Sequence, residues 1–222
     1  MAYVEYYVEA GLAVITLADS SNGNKLNFNS LSELRKCVNN SISDNDVRVI
    51  IIRSNGENYC LGMDLVFLQD QGKDEKLAQE AINLYGDLLL DIFHSPKPVI
   101  SLINGKVKAG GIGLIAACDI IIASEKSSFE LSEVLFGLLP ANVLPFIFSL
   151  RLSPQKARYI ILTAKQVSAE EAKSIGMIDE VFSEDKLERG VKKVLKSLFR
   201  SSPKAIAKTK EFTYSMLSKS FT

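Results

Sequence analysis

The chain has 222 residues, 47% hydrophobic and 23% charged, enough to bury a core in one large domain or a domain with an appendage. Lysine plus arginine and aspartate plus glutamate number 26 each, so no global field favours nucleic acid or an anionic membrane. Cys37, Cys60 and Cys118 are too few and too scattered for a disulfide framework or a zinc cluster, which excludes the small disulfide-stapled classes and points to a reducing compartment.

No basic-then-apolar leader opens the chain, and every apolar run is interrupted before about 18 residues. The expectation is a cytoplasmic protein with no metal, no nucleic-acid partner and no membrane partner.

"YVEYYVEA" alternates over Tyr3 to Val8, and "LAVITLA" follows a turn at Gly11; both read as strands of a hairpin. The polar loop "SSNGNKLNFNS" leads to the helix "LSELRKCVNNSI", with Ser30 or Asn29 as its cap and Leu31, Leu34 and Val38 on one face. "VRVIIIR" is a strand buried on both faces, ended by the turn Ser54-Asn55-Gly56. Residues 57–68 carry an isolated Gly62, and a charged spacer at 69–76 leads to the amphipathic helix "KLAQEAINLYGDLLLDIFH". Pro96 and Pro98 stop that helix and start the strand "VISLI".

A glycine segment and the strand "CDIIIAS" come next. From Ser153 the signals are almost wholly helical, with Ser-Pro and Ser-Ala-Glu-Glu caps. The expected organisation is therefore a β/α core over residues 1–165 and a helical region over 166–222.

Three features carry chemistry. Gly110-Gly111 precedes an apolar run reaching Ala117; a glycine pair at the mouth of a helix leaves N–H groups open to a developing oxyanion, and it equally suits a tight turn packed on a strand. Gly62 in "CLGMD" marks either a bulge or a loop presenting the Met63 N–H. Glu133, in "FELSEVLFGLLP", is either an exposed first-turn residue or a carboxylate in apolar surroundings, Leu135 and Leu139 among them, whose raised proton affinity suits general acid–base work. His94 ends a helix without a partner motif and reads as structural. No G-x-S-x-G, Walker or G-x-G-x-x-G pattern is present.

The ordered segments "RVIIIRSNGENYCLGMDL", "KPVISLINGKVKAGGIGLIAACDIIIASEKSSFELSEVLFGLLP" and "VSAEEAKSIGMIDEV" resemble the enoyl-CoA hydratase/isomerase (crotonase) superfamily over nearly the whole chain. The resemblance implies an α/β fold, a spiral of ββα turns with C-terminal helices used in a homotrimer or hexamer. It also implies an oxyanion hole from the backbone N–H groups of Met63 and Gly110, a catalytic Glu133, and substrate contacts from Gly62, Asp64, Leu65, Gly111, Leu139 and Asn142. No cofactor is implied, since coenzyme A or phosphopantetheine enters as the carrier of the acyl thioester.

Relatives typically carry a second glutamate where this chain has Gly113. That departure, with the run "SEVLFGLLPANVLPF", is similar to the hydroxymethylglutaryl-acyl-carrier-protein dehydratases of polyketide β-branching cassettes. The implied partner is an acyl-carrier-protein-bound thioester; a coenzyme-A-linked enoyl hydratase and a non-catalytic scaffold of the same fold are the alternatives. Relatives also continue through helices beyond the position of Thr222 that help to close the acyl pocket.

Overall fold

The computed structural model describes residues 2–64 and 75–219. The hairpin β1 (Val4–Glu9) and β2 (Leu12–Leu17) opens a six-stranded sheet of order β1-β2-β3-β5-β7-β10. Its other members are β3 (Val49–Ser54), β5 (Val99–Ile103), β7 (Ile120–Ser124) and β10 (Glu180–Phe182). All pairings after the hairpin are parallel.

A second sheet, order β4-β6-β8-β9, is made of pieces of two or three residues: β4 (Asn58–Cys60), β6 (Lys106–Lys108), β8 (Ser128–Glu130) and β9 (Val167–Ser168). The helices of six residues or more are α1 (Phe28–Ser43), α2 (Glu75–His94), α3 (Gly110–Ala116), α4 (Pro154–Thr163), α5 (Ala169–Ser174), α6 (Glu184–Arg200) and α7 (Pro203–Lys219).

The spiral follows from this order. Each turn lays one strand in the large sheet and the next in the small one, as in β3-β4-α2, β5-β6-α3 and β7-β8 followed by a 3₁₀ turn at Glu133–Phe136. Because β4, β6 and β8 are parallel neighbours, the segments that leave their C-terminal ends lie side by side. That edge is where open α/β sheets bind ligands.

The centre of the large sheet is covered on both faces, so β3, β5 and β7 are mostly apolar. In β3, Ile50 and Ile52 pack with Leu31, Leu34 and Val38 of α1 and with Leu88 and Ile92 of α2. Val49 and Ile51 face the other way, onto Leu187, Val191, Leu195 and Phe199 of α6. The amphipathic pattern of α6 exists to fill that second face, and β10 joins the sheet beneath it through parallel pairing with β7.

One helix start departs from the sequence reading. The cap of α1 is Asn27, with φ −124° and ψ 176°; its side chain accepts from Ser30 N–H at 2.9 Å, and Ser30 Oγ accepts from Asn27 N–H at 2.9 Å. Ser30 is thus the third helical residue of a reciprocal capping box and not the cap itself.

The last helix is tied down by charge. Lys210 on α7 donates to Asp119 and, at 3.1 Å, to the Lys97 carbonyl, while Asp119 accepts from Val99 N–H at 2.8 Å. Tyr214 donates to the Phe93 carbonyl. Burial raises the Asp119 carboxyl against the pull of Lys210 and lowers the Lys210 ammonium against the pull of Asp119. The pair therefore fixes where α7 docks more than it adds net stability. Removing one partner strands the other, so Lys210→Met should destabilise the fold by about 3 kcal/mol in urea titrations. An unchanged urea midpoint would show that α7 is held by its apolar contacts alone.

Candidate active site

The first element of the site is the turn after β4. Gly62 has φ +86°, and a Cβ there would lie 2.8 Å from Ala109 Cβ and 3.1 Å from Gly110 N, so only glycine fits. Met63 forms a parallel bridge to Leu26. That bridge uses the Gly62 carbonyl, which accepts from Leu26 N–H at 2.8 Å, and the Asp64 N–H, which donates to Leu26 at 2.8 Å. The pleat turns Met63's own N–H to the opposite side, away from Leu26.

Gly110 waits on that side. A Cβ built at Gly110 would be 3.6 Å from the Met63 nitrogen and 3.5 Å from Tyr85 Oη, so the two segments meet although 47 positions separate them. As the first residue of α3, Gly110 has no intrahelical acceptor for its N–H. The preceding Ala109 is held at φ 47°, ψ −122°, a strained conformation for a residue with a Cβ. Its N–H donates to the Glu130 carbonyl at 2.9 Å, which ties the end of β6 to the end of β8.

Gly111 plays a different part. A Cβ there would be 2.6 Å from the Cys60 carbonyl oxygen and 3.0 Å from Cys60 Cβ, so this glycine lets α3 pack on β4. Of the two readings of the glycine pair, Gly111 satisfies the packing one, and Gly110 faces the Met63 nitrogen without a close clash.

The third element follows β8. Glu133 begins the 3₁₀ turn and is half-buried, and its Oε2 is shielded from solvent without a hydrogen-bond partner. Burial raises its carboxyl above the ordinary value, opposed by its own backbone N–H. Leu135 and Leu139, expected to supply the apolar surroundings, are instead 66% and 75% exposed. The tight turn points them outward, away from the core on which Leu131 and Val134 pack. A buried acceptor without a donor is costly unless a ligand or substrate uses it.

Asn142 donates to the Ile82 carbonyl at 3.1 Å and rests against Gly86, tying the loop after Glu133 to α2. Asp64 lies beside the Asn22 amide at 3.4 Å. Leu65 lies outside the described residues. Lys108, at the end of β6, is paired with Glu130 at 2.7 Å. His94 packs edge-on against Phe93 and Tyr214, remote from Glu133 in role. The buried Cys60 and Cys118 thiols are both pushed up to about 12 by burial, which makes them poor nucleophiles.

Sequence reasoning passed over Tyr85 and Ala109. Tyr85 belongs to the buried stripe Ala81, Tyr85, Leu88, Leu89 and Ile92, and a hydroxyl on such a stripe must find a partner. That requirement was the available signal.

The architecture is that of crotonase-fold hydro-lyases. A crystal structure of an enoyl-CoA hydratase from Shewanella pealeana superimposes with a TM-score of 0.92 at 28% identity, over 98% of this chain and 81% of that one. The crystal structure of PksH from Bacillus subtilis gives 0.88 at 33% identity, over 97% and 86%.

The chain belongs to the enoyl-CoA hydratase/isomerase family, whose model matches residues 7–220. It is 36% identical over 209 residues to the bacillaene synthase dehydratase PksH of Bacillus subtilis, covering 94% of this chain and 79% of PksH. It is 32% identical to the mouse mitochondrial enoyl-CoA hydratase domain-containing protein 3, covering 93% and 68%. Among the described residues no helix is long and apolar enough to cross a membrane.

Proposed function

We propose that the chain is a β-branching dehydratase, removing water from a hydroxymethylglutaryl thioester on an acyl carrier protein to give the methylglutaconyl thioester. The observation that carries this reading is the one buried carboxylate oxygen without a partner among the described residues, Glu133 Oε2, at the same sheet edge as the Met63 and Gly110 N–H groups. The 36% identity to PksH, by name a dehydratase of bacillaene synthase, supports the same reaction here.

The thioester carbonyl accepts from Met63 N–H and Gly110 N–H. As Glu133 takes the α-proton, charge moves onto that oxygen, where the two fixed donors stabilise the enolate. The enolate then collapses and the C–O bond to the tertiary hydroxyl breaks. The proton held by Glu133 passes to the departing oxygen, which leaves as water and returns the carboxylate. Gly62 and Gly111 set the spacing of the two donors. Asp64, which follows the Met63 donor, would meet the acyl chain, and Asn142 supports the loop. No cofactor takes part.

The exposed Leu135, Phe136, Leu138 and Leu139 beside the site support an assembly in which this loop is covered, which we take to be a homotrimer or hexamer.

The reading fixes a pH dependence. The carboxylate is the active form, so kcat/KM should rise with pH through one limb set by Glu133. Because burial raises that carboxyl, the limb should lie above the range of an exposed glutamate. A limb at the ordinary carboxylate value would mean that the base is a solvated group.

The two readings are separated by offering the hydroxymethylglutaryl group on a carrier protein and, separately, crotonyl-coenzyme A with water. The loaded carrier should turn over faster. Faster hydration of crotonyl-coenzyme A would favour the coenzyme-A-linked hydratase.

A further inference from the structure

The mechanism above makes no use of Tyr85, which is 4% exposed on α2. Its hydroxyl reaches into the first turn of α3 and donates a 2.5 Å hydrogen bond to the Gly110 carbonyl. A Cβ at Gly113, one turn further on, would lie 2.2 Å from that hydroxyl oxygen. Its next neighbours would be Val143 Cγ2 at 3.0 Å and Leu89 Cδ1 at 3.3 Å, where a shift of a few tenths of an ångström relieves the contact. One oxygen atom therefore does two things: it grips the Gly110 carbonyl, and it fills the space that any side chain at position 113 would need.

We propose that Tyr85 is a positioning residue of the oxyanion hole, and that Tyr85 and Gly113 form a matched pair that keeps a second acid off this face of α3. The proposal rests on the reading that Gly110 N–H binds the thioester carbonyl. The strained Ala109 makes such a grip necessary. A residue at φ 47°, ψ −122° persists only where its surroundings over-determine it. Here the Ala109–Glu130 hydrogen bond holds one side of the turn, and Tyr85 holds the other.

Donors stabilise an enolate in proportion to how firmly they are fixed before the charge develops. Burial raises the phenol well above its ordinary value, with the charges of Cys60 and Glu133 adding to it. The group accordingly stays a neutral donor across the working pH range. It is not a proton source for the reaction.

The test is a double-variant cycle of Tyr85→Phe, Gly113→Ala and the two combined, with kcat, KM, the pH profile and Tm measured for each. Tyr85→Phe should lower kcat about ten- to a hundredfold with KM within about twofold of wild type. Its pH limb should not move, because Glu133 is untouched; a purely structural role would lower Tm and leave kcat of the folded enzyme alone.

Gly113→Ala in the wild-type background should lower Tm sharply. In the Tyr85→Phe background the obstructing oxygen is gone, and most of that loss should be recovered. A Tyr85→Phe enzyme with kcat within twofold of wild type overturns the positioning role, and additive Tm losses overturn the pairing. If wild type itself fails to dehydrate the thioester, the reading of the reaction falls, and the Tm cycle alone still decides for or against the pair.

Discussion

Glu133→Gln should lower turnover by roughly two to four powers of ten while the thioester still binds. Glutamine keeps the volume and one oxygen of the carboxylate but can neither take the α-proton nor return it to the hydroxyl. The same substitution carries a second signature. Burial raises the Glu133 carboxyl, so the folded chain holds that proton more tightly than the unfolded one. Stability from this site is present below the unfolded value and is lost as pH rises through the folded one. Removing the charge should therefore raise Tm at neutral pH and leave it unchanged well below the ordinary carboxylate range. A variant that is slower and more stable at once is the mark of a group kept for chemistry. Dehydration by Glu133→Gln at near wild-type rate would place the base elsewhere.

Gly110 should be almost as sensitive, for a different reason. A Cβ at Gly110 meets nothing in the protein closer than 3.5 Å, so Gly110→Ala should fold. The added methyl would stand 3.6 Å from Met63 N, in the space between the two donors, and activity should fall by about two to three powers of ten. Gly111→Ala should behave in the opposite way, failing in stability through its 2.6 Å approach to the Cys60 carbonyl. Circular dichroism and kcat on the two variants distinguish the neighbours. Full activity in a folded Gly110→Ala enzyme would mean that the carbonyl is bound by other groups.

The long elements were legible in the sequence because their patterns run long enough to be periodic. β3, β5 and β7 announce themselves as apolar runs, and α1, α2 and α6 by stripes that match the two faces of the large sheet. The short strands were not legible. β4, β6 and β8 have three residues each, too few for alternation to register, and all three are defined by pairing across the chain. Yet these are the strands that bring Gly62-Met63, Gly110 and Glu133 to one edge.

The family resemblance supplied that convergence where periodicity failed. The partition between Gly110 and Gly111 needed coordinates, because both glycines look alike until a Cβ is placed on each. The surroundings of Glu133 were misread for a related cause: neighbours in sequence on a 3₁₀ turn diverge in space, and Leu135 and Leu139 point to solvent. Gly113 reads in sequence only as a missing acid; its reason is the Tyr85 hydroxyl, 28 positions away.

The most direct test of the central claim is mass spectrometry of hydroxymethylglutaryl-loaded acyl carrier protein incubated with the enzyme. The account predicts a carrier species lighter by one water, formed by wild type and slowed by two or more powers of ten in Glu133→Gln. A loaded carrier that keeps its mass in the presence of folded wild-type enzyme would contradict it.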